Sequence, residues 1–328
     1  MSRAMEAGST LAMGENAAAG GGRQSVDAPF GRALARLGQQ RPDIVGLTAD
    51  LGKYTDIHPF RDAHPDRFFN VGMAEQNLVA VAAGLARTKK QPFATTYGVF
   101  ASRRAFDFIA IALAHSNLDV KLIAGLPGLT TGYGGTHQAI EDLALMRMIP
   151  GLTIIDPMDA TEIDAATVAM SDHKGPVYMR LLRGSVPVVL EPGYRFEIGK
   201  ARQLRKGKDV GIISTGLMSE RAIDAAAELE RRGISVAVLH VPTIKPFDSE
   251  TVAAFAASVG RVVTAENHVV VGGLASLVVE TLFDAGISKK LTRIGLPDRY
   301  IECGAVPTLQ QKYGLTVEAV AERIEALS

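Results

Sequence analysis

From Phe30 onward, short apolar runs alternate with longer stretches in which apolar residues recur at helical spacing. Strands are predicted over 43–48, 68–71, 92–96, 120–124, 152–155 and 177–181, with helices such as 78–87 and 140–148 between them. That rhythm predicts a largely parallel sheet covered by helices on both faces. Glu191-Pro192-Gly193-Tyr194 interrupts it with turn formers, ahead of a charged segment over 200–209. A second, smaller α/β unit then restarts, with strands over 210–214, 236–240, 262–265 and 291–294 and a helix over 220–232. The expected organisation is a flexible leader over 1–26, a first domain over 27–190, a linker over 191–199 and a second domain over 200–328.

Composition narrows the class. The 328 residues are 47% hydrophobic and 21% charged, and 35 Lys+Arg balance 35 Asp+Glu, so no net charge argues for nucleic-acid binding. The leader, with Ala18-Ala19-Gly20-Gly21-Gly22, has no apolar core of signal-peptide length, and later apolar runs are broken by turns and charges. A protein that neither enters nor crosses a membrane is expected. A single cysteine, Cys303, forms no disulfide within the chain and no zinc cluster, which fits the reducing cytoplasm.

The run over 67–86, RFFNVGMAEQNLVAVAAGLA, carries the strongest chemical signal. It reads as strand, turn at Gly72 and helix, with one carboxylate, Glu75, where two apolar elements meet. A buried acid needs a reason. Free N–H groups of a first helical turn favour it, and an apolar wall prepares it to share a proton, although helix starts also attract plain capping acids.

This segment resembles the pyrimidine-binding domain of thiamine diphosphate enzymes related to transketolase, whose G-(I/M)-A-E-Q-(N/H) motif matches Gly72 to Asn77. Pro242-Thr243-Ile244-Lys245-Pro246-Phe247 and Glu266-Asn267-His268, followed by Gly272-Gly273, are similar to the family's carboxyl-terminal domain. The resemblance implies an α/β fold with a pyrimidine-binding-type domain followed by that smaller domain. It also implies that Glu75 bonds the aminopyrimidine ring and relays one proton, while the cofactor supplies the difficult chemistry.

Further residues follow from the same resemblance. In Thr95-Thr96-Tyr97-Gly98-Val99-Phe100, Phe100 is the family's stacking residue with Tyr97 beside it, whereas the residues alone favour a place in the core. Asp50 matches an acid near the thiazolium side, or caps a turn. His137, within Gly135-Thr136-His137-Gln138, corresponds to a substrate-facing histidine that donates to an oxygen at the reacting carbon; as a residue it could equally cap a helix. Arg183 matches the arginine that holds a substrate phosphate and would suit a carboxylate or sulfonate, or a surface ion pair. Arg180 would support the pocket wall. Three positions depart from the family: Arg103 replaces a tyrosine, Tyr133 replaces a sugar-reading aspartate, and Gly125-Leu126-Pro127 replaces a His-Asp-Ser segment. Tyr133 and Arg103 therefore stand beside His137 and Arg183 as candidate substrate contacts that alter sugar selection. Glu266 and His268 are expected in a loop with a structural or interface role, and Cys303 lacks an evident basic partner.

The sequence contains no Gly-Asp-Gly, which in this family begins the diphosphate and magnesium site. No metal ligand is therefore expected in this chain. Magnesium is expected mainly on a separate amino-terminal subunit, in an assembly of two copies of each chain. The expected activity is transfer of a two-carbon ketol unit from a ketose to an aldehyde by that assembly, not by this chain alone. The alternatives are the beta chain of a 2-oxoacid dehydrogenase, a deoxyxylulose-phosphate synthase-like enzyme, and a non-catalytic scaffolding paralogue.

Overall fold

The computed structural model describes residues 22–327. Two parallel-rich sheets form, as the alternating apolar runs predict. In the first, β2 (Ile44–Thr48), β4 (Gln91–Tyr97), β5 (Lys121–Gly125), β6 (Thr153–Ile155) and β7 (Val177–Leu181) are buried at every residue, with β3 (Phe68–Asn70) at one edge. Burial on both faces explains why these strands read as continuous apolar runs without alternation. Helices Pro29–Gln40 and Ala160–Asp172 cover one face through Phe30, Leu34, Ile163 and Met170. Helices Glu75–Arg87 and Asp142–Arg147 cover the other through Leu78, Ala82, Leu143 and Met146.

The second sheet has the order β14 (Leu291–Leu296), β13 (Arg261–Val269), β10 (Val210–Ser214), β11 (Val236–His240) and β9 (Arg202–Arg205). Only β9 runs antiparallel, against β11, among its described pairs. A short strand that the apolar pattern did not predict, β12 (Thr243–Lys245), leaves this unit and pairs antiparallel with β6 at the edge of the first sheet. There Lys245 Nζ donates to the carbonyls of Arg147 (2.9 Å) and Ile149 (2.6 Å). Of the expected leader, residues 1–21 lie outside the described residues. Its end is held in place: β1 (Ser25–Asp27) pairs with β8 (Ser185–Pro187), and Arg23 forms ion pairs with Glu220 and Asp224. No helix among the described residues is long and apolar enough to cross a membrane.

A buried polar network joins the halves. Arg180 on β7 donates from Nε to Asp142 Oδ2 (2.9 Å) and from Nη1 to the Asn267 carbonyl (3.3 Å), and it also pairs with Asp156. Burial alone would raise Asp142, but the Arg180 cation holds it below the ordinary carboxylate value. Glu266 and His268 correct the sequence expectation of a loop. Both lie inside β13 and are fully buried. Glu266 accepts the N–H groups of Leu274 (2.7 Å) and Ala275 (2.9 Å), capping helix Leu274–Asp284, while the ring of His268 lies 2.6 Å from the Val269 carbonyl through Nδ1 and accepts from Ala144 N–H at Nε2.

Burial pushes Glu266 from its ordinary 4.5 up to about 7. A carboxyl whose folded-state pKa is raised binds a proton in the native state that it loses on unfolding, so its stabilising effect is complete below about pH 4.5 and is lost as pH rises through about 7. Urea unfolding between pH 5 and 8 should therefore show stability falling by about 2–3 kcal/mol from this group. In Glu266→Gln that part of the slope should vanish.

Candidate functional site

The site begins at the turn between β3 and the helix Glu75–Arg87. Gly72 takes φ 77°, a left-handed conformation that glycine adopts without steric cost. Asn70, at the end of β3, ties this turn to the loop after β2. Its Oδ1 accepts the N–H groups of Asp50 (3.0 Å) and Gly72 (3.0 Å), and its Nδ2 donates to Asp50 Oδ1 (2.8 Å). Asp50 itself is exposed at φ 60°, and Leu51 beside it packs against Tyr97 and its neighbours. The sequence reading assigned Asn70 no role. Its signal, an amide side chain just before a glycine turn, is common to many turns.

Glu75 is the first residue of its helix and is only 3% exposed. Both carboxylate oxygens accept from Nη1 of Arg104, at 3.1 and 3.3 Å. Arg104 ends the helix Gly98–Arg104, which starts directly after β4, and its guanidinium lies 4.0 Å from the centre of the Phe100 ring. Phe100 in turn lies 5.8 Å from Tyr97 and 5.4 Å from the ring of His137. Tyr133 lies 5.2 Å from His137. Glu75, Arg104, Phe100, Tyr97, His137 and Tyr133 thus form one continuous cluster at the carboxyl ends of the parallel strands, where such sheets present ligands.

Electrostatics suit His137 to a donor's role. Partial burial, and then the Arg104 cation, hold its imidazole below the ordinary histidine value, so it is neutral near pH 7. Thr136 Oγ1 lies 2.9 Å from Nδ1. The tautomer with its proton on Nε2, and Nδ1 toward that hydroxyl, is the one that can donate to an oxygen. Burial raises the Tyr97 phenol and the Arg183 charge opposes it, which sets Arg183 in the electrostatic reach of the cluster. Asp56 accepts the N–H of Gly184 (2.6 Å) and fixes the segment that carries Arg183. Burial pushes Asp56 up to about 6.

Arg103 faces elsewhere. It pairs with Glu141, donates to the carbonyl of Gly135 (2.7 Å) and stacks over Tyr300 of the second half. Its charge therefore braces the loop that carries His137. The second half also forms that loop's other support: a Cβ on Gly134 would lie 2.7 Å from Cys303 Sγ, and Gly304 N–H donates to the Gly132 carbonyl (3.0 Å). Tyr300 and Arg104 carry no expected role from the sequence, since neither apolar spacing nor motif distinguishes them from other surface residues.

Residues 24–188 match the family described as transketolase, pyrimidine binding domain, and residues 199–320 match transketolase, C-terminal domain. A putative uncharacterized transketolase family protein of Sinorhizobium fredii is 56% identical over 94% of this chain and 90% of its own length. A subunit of 6-deoxy-6-sulfo-D-fructose transketolase from a Clostridium species is 41% identical over 88% of this chain and 89% of its own. Among solved structures, a split gene transketolase described as an inactive beta4 tetramer superposes with a TM-score of 0.82 and 42% identity, covering 93% of this chain and 98% of that one.

Arg103→Met should release the loop over 134–137 without unfolding the sheet. Hydrogen exchange read by mass spectrometry should then show faster exchange in that loop, by roughly three- to tenfold for loss of about 1 kcal/mol of bracing. Exchange in β4 and β5 should stay as in the wild type.

Proposed function

The chain belongs to the transketolase family, and from that premise we propose that it is the carboxyl-terminal subunit of a split transketolase, completed in the cytoplasm by an amino-terminal chain in an assembly of two copies of each. The observation that carries the reading is the slot between Glu75 and Phe100. A flat, N–H-bearing cation already fits there, bonded to both carboxylate oxygens and stacked on the ring. An aminopyrimidine offers the same combination of a planar face and an edge that shares a proton with a carboxyl group, so these residues fit thiamine diphosphate.

When bound, thiamine diphosphate supplies a nucleophilic carbon that takes a two-carbon ketol unit from a ketose and gives it to an aldehyde. Glu75 bonds the aminopyrimidine edge and holds the proton exchanged there. Phe100 would stack on its face, with Tyr97 beside Phe100 helping to exclude water. Asp50 stands on the loop beside Glu75's turn, tied to it through Asn70, and its carboxylate would offset positive charge on the cofactor. His137 donates from Nε2 to the substrate oxygen that becomes negative, and its neutral state avoids a competing charge. Arg183 anchors the anionic end of the sugar, with Tyr133 forming the wall that selects its hydroxyls. The diphosphate and magnesium are assigned to the partner subunit. Among the described residues, no three His, Cys, Asp or Glu side chains gather as a metal site. The need for a partner agrees with the exposed apolar residues that precede Glu75 in the chain: Met73 is 79% exposed, and Phe69 faces solvent.

Purified alone, the chain should show no ketol transfer, and adding the amino-terminal chain, thiamine diphosphate and magnesium should restore it. Full activity of the isolated chain would overturn the split reading. In the assembled enzyme, Glu75→Ala should slow cofactor C2 proton exchange by at least about 100-fold, the usual scale for a positioned acid or base. Exchange at the wild-type rate would reject Glu75 as the relay.

Arg183→Ala should weaken turnover of phosphorylated and sulfonated ketoses while sparing neutral ones. The sulfonate belongs in the panel because the name of one relative records a sulfosugar. Equal losses across the panel would reject anion anchoring by Arg183.

A further inference from the structure

The proposed function gives no task to Arg104, the side chain that touches its two central residues. Arg104 lies over Phe100 and is bonded to Glu75, and these are the face and the edge that the aminopyrimidine needs. We infer that Arg104 is an internal occupant of the aminopyrimidine slot, filling it in the cofactor-free chain and being displaced when the cofactor binds. The inference rests on the reading that Glu75 and Phe100 hold the ring.

Three features of the geometry support it. Two planar groups cannot share one stacking surface of Phe100 at van der Waals distance while bonding the same carboxylate. Glu75 is almost wholly buried, and a buried carboxylate without a partner is costly, so an empty slot needs a substitute cation. Arg104 is also free to move. Its side chain is 52% exposed at the last position of its helix, whereas Arg103 next to it is fastened to Glu141 and Gly135. The departing guanidinium moves into solvent on its own flexible stem, and Glu75 takes a proton from solvent in its place, which it shares with the acceptor nitrogen of the ring.

An occupant lowers apparent cofactor affinity by the fraction of chains in which the slot is open. A half-exposed ion pair combined with one cation–π contact sets that competition at about three- to tenfold. The test is calorimetric titration of thiamine diphosphate, at saturating magnesium, into the cofactor-free assembly of both chains. Arg104→Ala should bind about three- to tenfold more tightly than wild type, and Arg104→Lys, which keeps charge but loses the plane, should gain less. Unchanged or weaker binding by Arg104→Ala, with Glu75→Gln still weakening it, would overturn the inference and leave the site reading intact. Unchanged binding by Glu75→Gln would overturn both. Should Arg104→Ala fail to assemble, phenylglyoxal labelling of Arg104 in the wild-type assembly decides. Labelling should rise several-fold on cofactor addition, and unchanged or reduced labelling overturns the inference.

Discussion

Arg180 carries a permanent charge into a region almost without water, and its neutralisation governs how the two α/β units meet. Its partners come from both: Asp142 and Asp156 from the first, the Asn267 carbonyl from the second, while Tyr178 of the first unit and Thr215 of the second donate to those two carboxylates. Burying such a cation is tolerable only when its partners are fixed, and removing one partner of a buried pair typically costs about 3–5 kcal/mol. The network therefore holds one relative placement of the halves. The site depends on that placement. Asp142 follows Glu141, whose carboxylate pairs with Arg103 and through it braces the His137 loop. At the other end, β7 runs from Arg180 to the segment carrying Arg183.

Asn267 fits the halves together more closely. Its Oδ1 accepts the N–H of Leu129 (2.8 Å), and a Cβ at Gly128 would lie 2.2 Å from its carbonyl oxygen. Gly125-Leu126-Pro127, noted in the sequence for departing from the family, thus leads into the turn on which the second half docks.

The strands of the first sheet were legible because helices on both faces demand uninterrupted apolar runs, and β7, β10 and β11 begin and end at the residues the pattern indicated. What escaped was structure fixed by hydrogen bonds between distant segments. β13 was expected to stop at Ala265, yet it continues through Glu266, Asn267 and His268 because each polar side chain finds a buried partner. No apolar signal marks such residues. In the site, the resemblance to transketolases singled out Glu75, Tyr97, Phe100 and His137 as candidates, and the folded chain brings Tyr97, Phe100 and His137 together directly. The link to Glu75 was not legible, since Arg103 and Arg104 are adjacent and alike in sequence but turn to opposite tasks.

The path of β12 changes what a domain means in this chain. Thr243–Lys245 belongs by sequence to the second unit, yet it completes the first sheet at β6. Cutting within 191–199 would not release two modules. The amino-terminal fragment would carry β6 as an open edge, a template for strand addition between molecules and hence for aggregation. The edge of the first sheet is thus closed by a strand that follows the linker in sequence, so the two units share a sheet as well as a chain.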